Sequence, residues 1–250
     1  MRALLNSLKP RSSPLGNPVE AEVPRLQGAE LAAAYLGQRV GGDLCEFIRV
    51  GPHRVLFGLL DVAGRIEENR DVVSAAGVTF RAAGTELLAR EDVNEIDAMI
   101  EISLQLNRAI LKTAHKVCSC PAFAGCYNEH LGTVCYFNAG HTPGLAMSDT
   151  GIRELYATGL PLGLFSHTTA DAGIVALEPG AMLLLVSRGV VEAKRKGDEF
   201  GLDGVKQVWQ HNPSGSARRI CLAVLDEVKE FTGGHAQNDL TILALARGVT

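Results

Sequence analysis

The feature of this chain that most restricts its fold is the order in which its hydrophobic period changes. Residues 54–60 form an apolar run after Arg54 that reads as a buried strand, and the run ends on a carboxylate, Asp61. After Gly64 the period lengthens. Val72, Val73, Ala76, Val78, Phe80, Leu87 and Leu88 fall at helical spacing, and residues 96–112 predict a second helix. Strand-like pieces follow at 122–127, 134–138, 144–147 and 182–186, punctuated by Gly132, Gly140, Gly151, Gly163 and Pro179. A helix over 216–231 precedes a last strand over 240–245. Two consecutive helices followed by many strands do not make a βαβ succession. The order predicts an α+β fold in which antiparallel sheets pack between helices.

The stretch 28–35 is alanine-rich and prepares a strand, while Val40-Gly41-Gly42-Asp43 reads as a sharp glycine-bearing turn. Upstream, Pro10, Arg11, Ser12, Ser13, Pro14, Gly16, Asn17 and Pro18 are linker chemistry, so residues 1–21 are expected as a flexible lead-in and 22–250 as the folded domain. A chain of 250 residues with 46% hydrophobic content can bury a sizeable core. The net charge is −4 and no Lys/Arg run is dense, which sets nucleic-acid binding aside. The six cysteines are scattered through apolar segments and read as reduced core thiols. The first residues make a poor signal peptide, and no apolar run reaches the roughly 18 residues of a membrane span. These features predict a cytoplasmic protein without a membrane segment.

Eight short segments then occur in one order: Val40-Gly41-Gly42-Asp43, Leu60-Asp61-Val62-Ala63-Gly64, Leu106-Asn107-Arg108, Asn138-Ala139-Gly140-His141, Gly159-Leu160-Pro161-Leu162-Gly163, Leu177-Glu178-Pro179-Gly180, Phe200-Gly201-Leu202 and Asn238-Asp239-Leu240-Thr241. Each is weak alone. In series they resemble the SpoIIE-like (RsbU-like) branch of the PPM-type metal-dependent protein serine/threonine phosphatases. The resemblance implies a four-layer α-β-β-α sandwich, two antiparallel sheets between helix pairs. It also implies removal of phosphate from phosphoserine or phosphothreonine on a phosphorylated partner protein, in bacterial stress or developmental signalling.

Such a reaction calls for clustered carboxylates. Mg²⁺ and Mn²⁺ take oxygen ligands, and two of them together lower the pKa of a shared water and neutralise phosphoryl oxygens. The resemblance implies acids at four places. Asp43 and Asp61 match two of them, and the Gly64 or Val62 carbonyl is expected as a further donor to an ion on Asp61. At the third, a Thr-Asp-Gly turn, the chain has Ser187-Arg188-Gly189, and at the fourth it has Asn238 in place of an acid. Gly64-Arg65-Ile66 also stands where Gly-His-Gly is expected, so Arg65 replaces an imidazole. The four ligand positions then sum to −1, since Asp43 and Asp61 give −2, Asn238 none and Arg188 +1. At an effective dielectric of about 20, unit charges about 4 Å apart interact by roughly 4 kcal/mol, so this exchange works strongly against doubly charged ions. Arg188 is therefore expected to pair with Asp43 or Asp61 and to take over part of a metal's charge, leaving Mg²⁺ or Mn²⁺ weakly held, at a single site, and turnover slow or absent. Glu46, Glu192 and Asp239 lie near these positions, but strand alternation should turn Asp239 away from Asn238. The alternative is a non-catalytic pseudophosphatase that keeps the fold to recognise a partner.

Other constellations read as structural. Asn138 and His141 fit a hydrogen-bonded turn after a strand. His115, Cys118, Cys120, Cys126 and Cys135 lack the paired spacing of a zinc site. Neither a Gly-x-Ser-x-Gly elbow nor a Walker loop occurs.

Overall fold

The structure, a computed structural model, describes residues 13–37, 42–62, 66–115, 117–167, 169–212, 216–236 and 238–249. The described residues begin with β1 (Ser13–Pro14), β2 (Val19–Glu20), β3 (Ala29–Leu36), β4 (Gly42–Gly51) and β5 (Arg54–Val62), followed by helices α1 (Ile66–Leu88) and α2 (Glu95–Thr113). Six strands come next: β6 (Ala122–Asn128), β7 (Thr133–Ala139), β8 (Gly144–Ser148), β9 (Gly151–Leu155), β10 (Gly173–Ala176) and β11 (Met182–Val186). A short helix α3 (Arg188–Val191), the ribbon β12 (Lys194–Arg195) and β13 (Asp198–Glu199), helices α4 (Gly201–His211) and α5 (Ala217–Phe231), β14 (His235–Ala236) and β15 (Leu240–Arg247) complete the fold.

Among the described residues these strands build two main antiparallel sheets, ordered β10-β7-β6-β5-β4 and β2-β3-β15-β11-β8-β9. The layering can be read from β5, which is buried along its whole length. Its Leu56 and Leu60 pack with Phe80, Met99 and Ile102 of α1 and α2, whereas Val55, Phe57 and Leu59 pack with Leu183, Leu243 and Leu245 of the second sheet. Successive side chains of a strand face opposite ways, so a strand with apolar layers on both sides is apolar throughout. The far face of the second sheet carries Leu184 and Ile242 against Val205 of α4 and Ile220 and Val224 of α5. The result is the four-layer α-β-β-α sandwich of an α+β fold. Gly58 lets helix and sheet approach closely, since a Cβ there would stand 3.0 Å from the Phe80 ring and press on it.

Several elements differ from the sequence expectation. Gly42 and Asp43 are not in a turn but open β4, paired with Val62 and Asp61; Val40 and Gly41 lie outside the described residues. β4 is a sheet edge carrying Asp43, Glu46 and Arg49, which interrupts the apolar pattern that identifies a strand. α4 escapes the periodicity because Val205 and Val208 are its only fully buried residues. In the expected lead-in, Ser13–Pro14 pairs with β14 and Val19–Glu20 with β3, and Arg218 forks onto Glu20 through Nε and Nη2. Two-residue pairings of this kind survive proline- and glycine-rich composition, since each needs so little extended chain. No helix among the described residues is long and apolar enough to cross a membrane.

Candidate functional site

Pairing of β4 with β5 sets Asp43 directly opposite Asp61. Opposite residues of an antiparallel pair share a face, so two carboxylates stand side by side at one end of the first sheet. The second sheet meets them there with the ends of β11 and β15. Ser187 and Thr241 bind each other reciprocally: Ser187 N donates to the Thr241 carbonyl at 2.8 Å, and Thr241 N donates to Ser187 Oγ at 3.0 Å. So fixed, Thr241 Oγ1 donates to Asp43 Oδ2 at 2.9 Å, across the gap between sheets.

Arg188, the first residue of α3, crosses the same gap. Its Nε lies 3.0 Å from Asp61 Oδ2 and its Nη2 donates to Asp61 Oδ1 at 3.5 Å. The Glu192 carboxylate, one helical turn on, stands 4.0 Å from the same Nε. The Asp61 side chain is 10% exposed and that of Arg188 46%, so the pair has a buried acid and a half-open cation. The residue after Arg188 must be glycine, because a Cβ at Gly189 would come within 2.1 Å of the Asp239 carbonyl oxygen.

Burial raises the Asp43 carboxyl to about 7, helped by the charges of Asp61 and Asp239 and opposed by the Thr241 and Ser187 hydrogen bonds. Asp61 is also raised by burial, with Arg188 opposing the rise. With Asp43 raised to about 7 beside Asp61, the pair carries less than two full charges near neutrality, and the balancing cation in place is a guanidinium.

Of the residues singled out by sequence, Asp43, Asp61 and Arg188 come together. Asn238 is exposed and lines a cleft with Gly189, Glu192, Lys194 and His235. Gly64 and Arg65 lie outside the described residues. Asp239 corrects the expectation from alternation. Neither it nor Asn238 belongs to β15, which starts at Leu240, and the charge of Asp239 is felt at Asp43. Glu46 is occupied elsewhere, bound by Arg81 Nη1. Among the described residues no group of three or more His, Cys, Asp or Glu side chains is disposed to hold a metal ion. Cys118, Cys120, Cys126 and Cys135 are buried and form no disulfide among the described residues.

Sequence reasoning missed Ser187 and Thr241, whose role shows only once β11 and β15 are paired. It also treated His141 as structural throughout. The His141 backbone N–H is indeed held by Asn138 Oδ1 at 2.8 Å, and its Nδ1 lies 3.0 Å from Thr142 Oγ1. Its Nε2, however, is buried without a hydrogen-bond partner. Burial, with Arg188 adding to it, pushes the imidazole down to about 4, so the ring is neutral at physiological pH.

Comparison with known proteins agrees with this architecture. The family model for Stage II sporulation protein E (SpoIIE) matches residues 51–248. The phosphoserine phosphatase RsbU of Bacillus subtilis is 24% identical over 231 residues, covering 91% of this chain and 66% of RsbU. Protein IcfG of Synechocystis is 28% identical over 132 residues, 50% of this chain and 20% of IcfG. This chain therefore spans only part of the length of the curated relatives it matches. Among solved structures, the RsbU and RsbW domains of Rv1364c from Mycobacterium tuberculosis superpose with a TM-score of 0.73 at 22% identity, over 91% of this chain and 62% of that one. The SiaA-PP2C domain of Pseudomonas aeruginosa gives 0.70 at 17% identity, over 88% and 85%. With a four-layer fold shared with these structures and a family match that runs from the end of β4 to the end of β15, the chain belongs to the SpoIIE family.

Proposed function

We propose that this SpoIIE-type domain engages a phosphoserine- or phosphothreonine-bearing partner protein in bacterial stress signalling and hydrolyses it far more slowly than a two-metal phosphatase. The observation that carries the reading is the fork of Arg188 on Asp61. Both oxygens of that carboxylate face a guanidinium, and Asp43 shares one oxygen with Thr241. This donor set does not fit a centre of two divalent ions. A Mg²⁺ or Mn²⁺ ion must displace Arg188 to reach Asp61, and the other donors expected for it, the Gly64 carbonyl and the Asn238 amide, are uncharged. Metal binding in this reading is weak and confined to a single site.

Arg188 is suited to another task. Its half-exposed guanidinium is a permanent cation with a planar fork that fits phosphate as well as carboxylate. In this reading it anchors the phosphoryl group, and Arg65, four residues after Asp61, is the second cation. RsbU is named a phosphoserine phosphatase, which supports phosphoserine as the ligand class. The same reading has the domain working in the cytoplasm, where its buried thiols stay reduced. A second reading, a pseudophosphatase that binds without turnover, is favoured by the same ion pair.

Turnover of p-nitrophenyl phosphate with Mn²⁺ separates the two, being slow but measurable in the first and absent in the second. Arg188→Asp combined with Asn238→Asp is expected to raise the rate in either case. Fast Mn²⁺-dependent turnover by the unaltered protein would refute both.

A further inference from the structure

His141 is fully built into the fold apart from one atom. Thr142 Oγ1 gives its only proton to the Val186 carbonyl, so its contact with His141 Nδ1 must run from the ring nitrogen to the hydroxyl oxygen. The other neighbour of Nδ1, the Thr142 carbonyl at 3.2 Å, is also an acceptor. Nδ1 therefore carries the proton, and Nε2 presents a bare lone pair. The residue is 6% exposed, and Nε2 has no partner. Buried acceptors in native proteins are nearly always satisfied, by water or a ligand where protein groups do not serve. The Thr142–Val186 bond ties the residue after His141 to the strand end that leads into Ser187 and Arg188, and the Arg188 charge reaches the ring.

A guanidinium donates only, so Arg188 alone does not distinguish one tetrahedral oxyanion from another. We propose that His141 Nε2 is the acceptor that makes the Arg188 site selective for a protonated phosphate, one that receives hydrogen bonds from Arg188 and donates its P–OH to the imidazole. The proposal rests on the reading above that Arg188 takes phosphate. Sulfate has the same shape but no proton to give, and a buried lone pair repels it. Nε2 is closed to solvent, so the proposal requires that the anion reach it as Arg188 turns from Asp61. The released Asp61 also disfavours an unprotonated anion, and substitution at residue 141 isolates the contribution of the imidazole.

The test is titration of the full chain with sodium phosphate and with sodium sulfate at matched ionic strength, near pH 6, where phosphomonoesters also keep a P–OH. The unaltered protein is expected to prefer phosphate by about tenfold, or about 1.4 kcal/mol. His141→Phe should bind both anions with that preference largely lost, and His141→Gln, which keeps an acceptor oxygen, should retain part of it. A second readout needs no variant: the ¹⁵N resonance of Nε2 should move on addition of phosphate and stay put with sulfate. Equal affinity for the two anions, or an Nε2 resonance indifferent to phosphate because a buried water already satisfies it, overturns the inference and leaves the Arg188 reading standing. Failure of the unaltered protein to bind either anion overturns the Arg188 reading itself.

Discussion

Arg188 opens the short helix that follows β11 of the second sheet and Asp61 lies in β5 of the first, yet Nε of one lies 3.0 Å from Oδ2 of the other, and a second nitrogen follows at 3.5 Å. The acid is buried and the base half-open, so their losses are unequal. Arg188→Ala leaves a carboxylate in a dry site without its counter-charge, a change far costlier than losing a surface pair. Discounted for the exposure of the arginine, the expected cost is about 1–2 kcal/mol at pH 7. Burial already raises the Asp61 carboxyl, and protonation in acid removes the penalty, so urea denaturation should give a smaller difference between variant and parent at pH 4 than at pH 7.

Metal dependence should follow charge. Excess Mn²⁺ is expected to leave the melting temperature of the unaltered protein nearly unchanged. With Arg188→Asp and Asn238→Asp combined, an ion at a hundred times its dissociation constant adds about 2.7 kcal/mol, or several degrees for a chain of this size. Thermal denaturation with and without Mn²⁺ measures the difference.

Asp43 predicts a stability that falls as the solution becomes less acidic. Its folded-state value, about 7, lies above the reference of 3.8, so the folded state holds the proton that the unfolded chain releases. Stability from this group is complete below pH 3.8 and is lost progressively up to about pH 7. At about 1.4 kcal/mol per unit, the loss is at most about 4 kcal/mol. Asp43→Asn keeps an oxygen for Thr241 and cannot ionise, so the variant should be the more stable of the two at pH 8, and chemical denaturation across this range reads the crossover.

His141 acts in the opposite direction. The fold keeps it neutral down to about pH 4, whereas the unfolded chain takes up a proton below pH 6.5. Stability therefore drops by about 3 kcal/mol as pH falls through that window. His141→Phe should flatten this acid limb, which a series of melting temperatures between pH 4 and 7 would reveal.

The sequence carried the layers well where periodicity was strong, as in β5, α2 and β11, because burial on both faces leaves little besides apolar residues. It failed at β4, where a sheet edge mixes Asp43, Glu46 and Arg49 with apolar positions, and at α4, whose buried stripe is two valines wide. At the candidate site, Asp43, Asp61 and Arg188 were visible as residue types in an ordered series. What no string of letters shows is which carboxylate Arg188 takes, since that depends on how far β11 extends past the first sheet. The same holds for Thr241, which looks like any strand threonine until Asp43 is found opposite it, and for the Nε2 of His141, whose isolation is a property of the packed interior.

Between the two sheets most contacts are apolar side chains, which resist separation but tolerate small shear. At the carboxylate end, Thr241 on Asp43 and Arg188 on Asp61 act as two directional stitches. Converting Arg188 to an acid in order to rebuild a metal centre also cuts one of those stitches. Such a redesigned domain is expected to hold its halves less firmly when free of metal, and to tighten on adding it, so that cation binding would clamp the layers where an arginine does so at present.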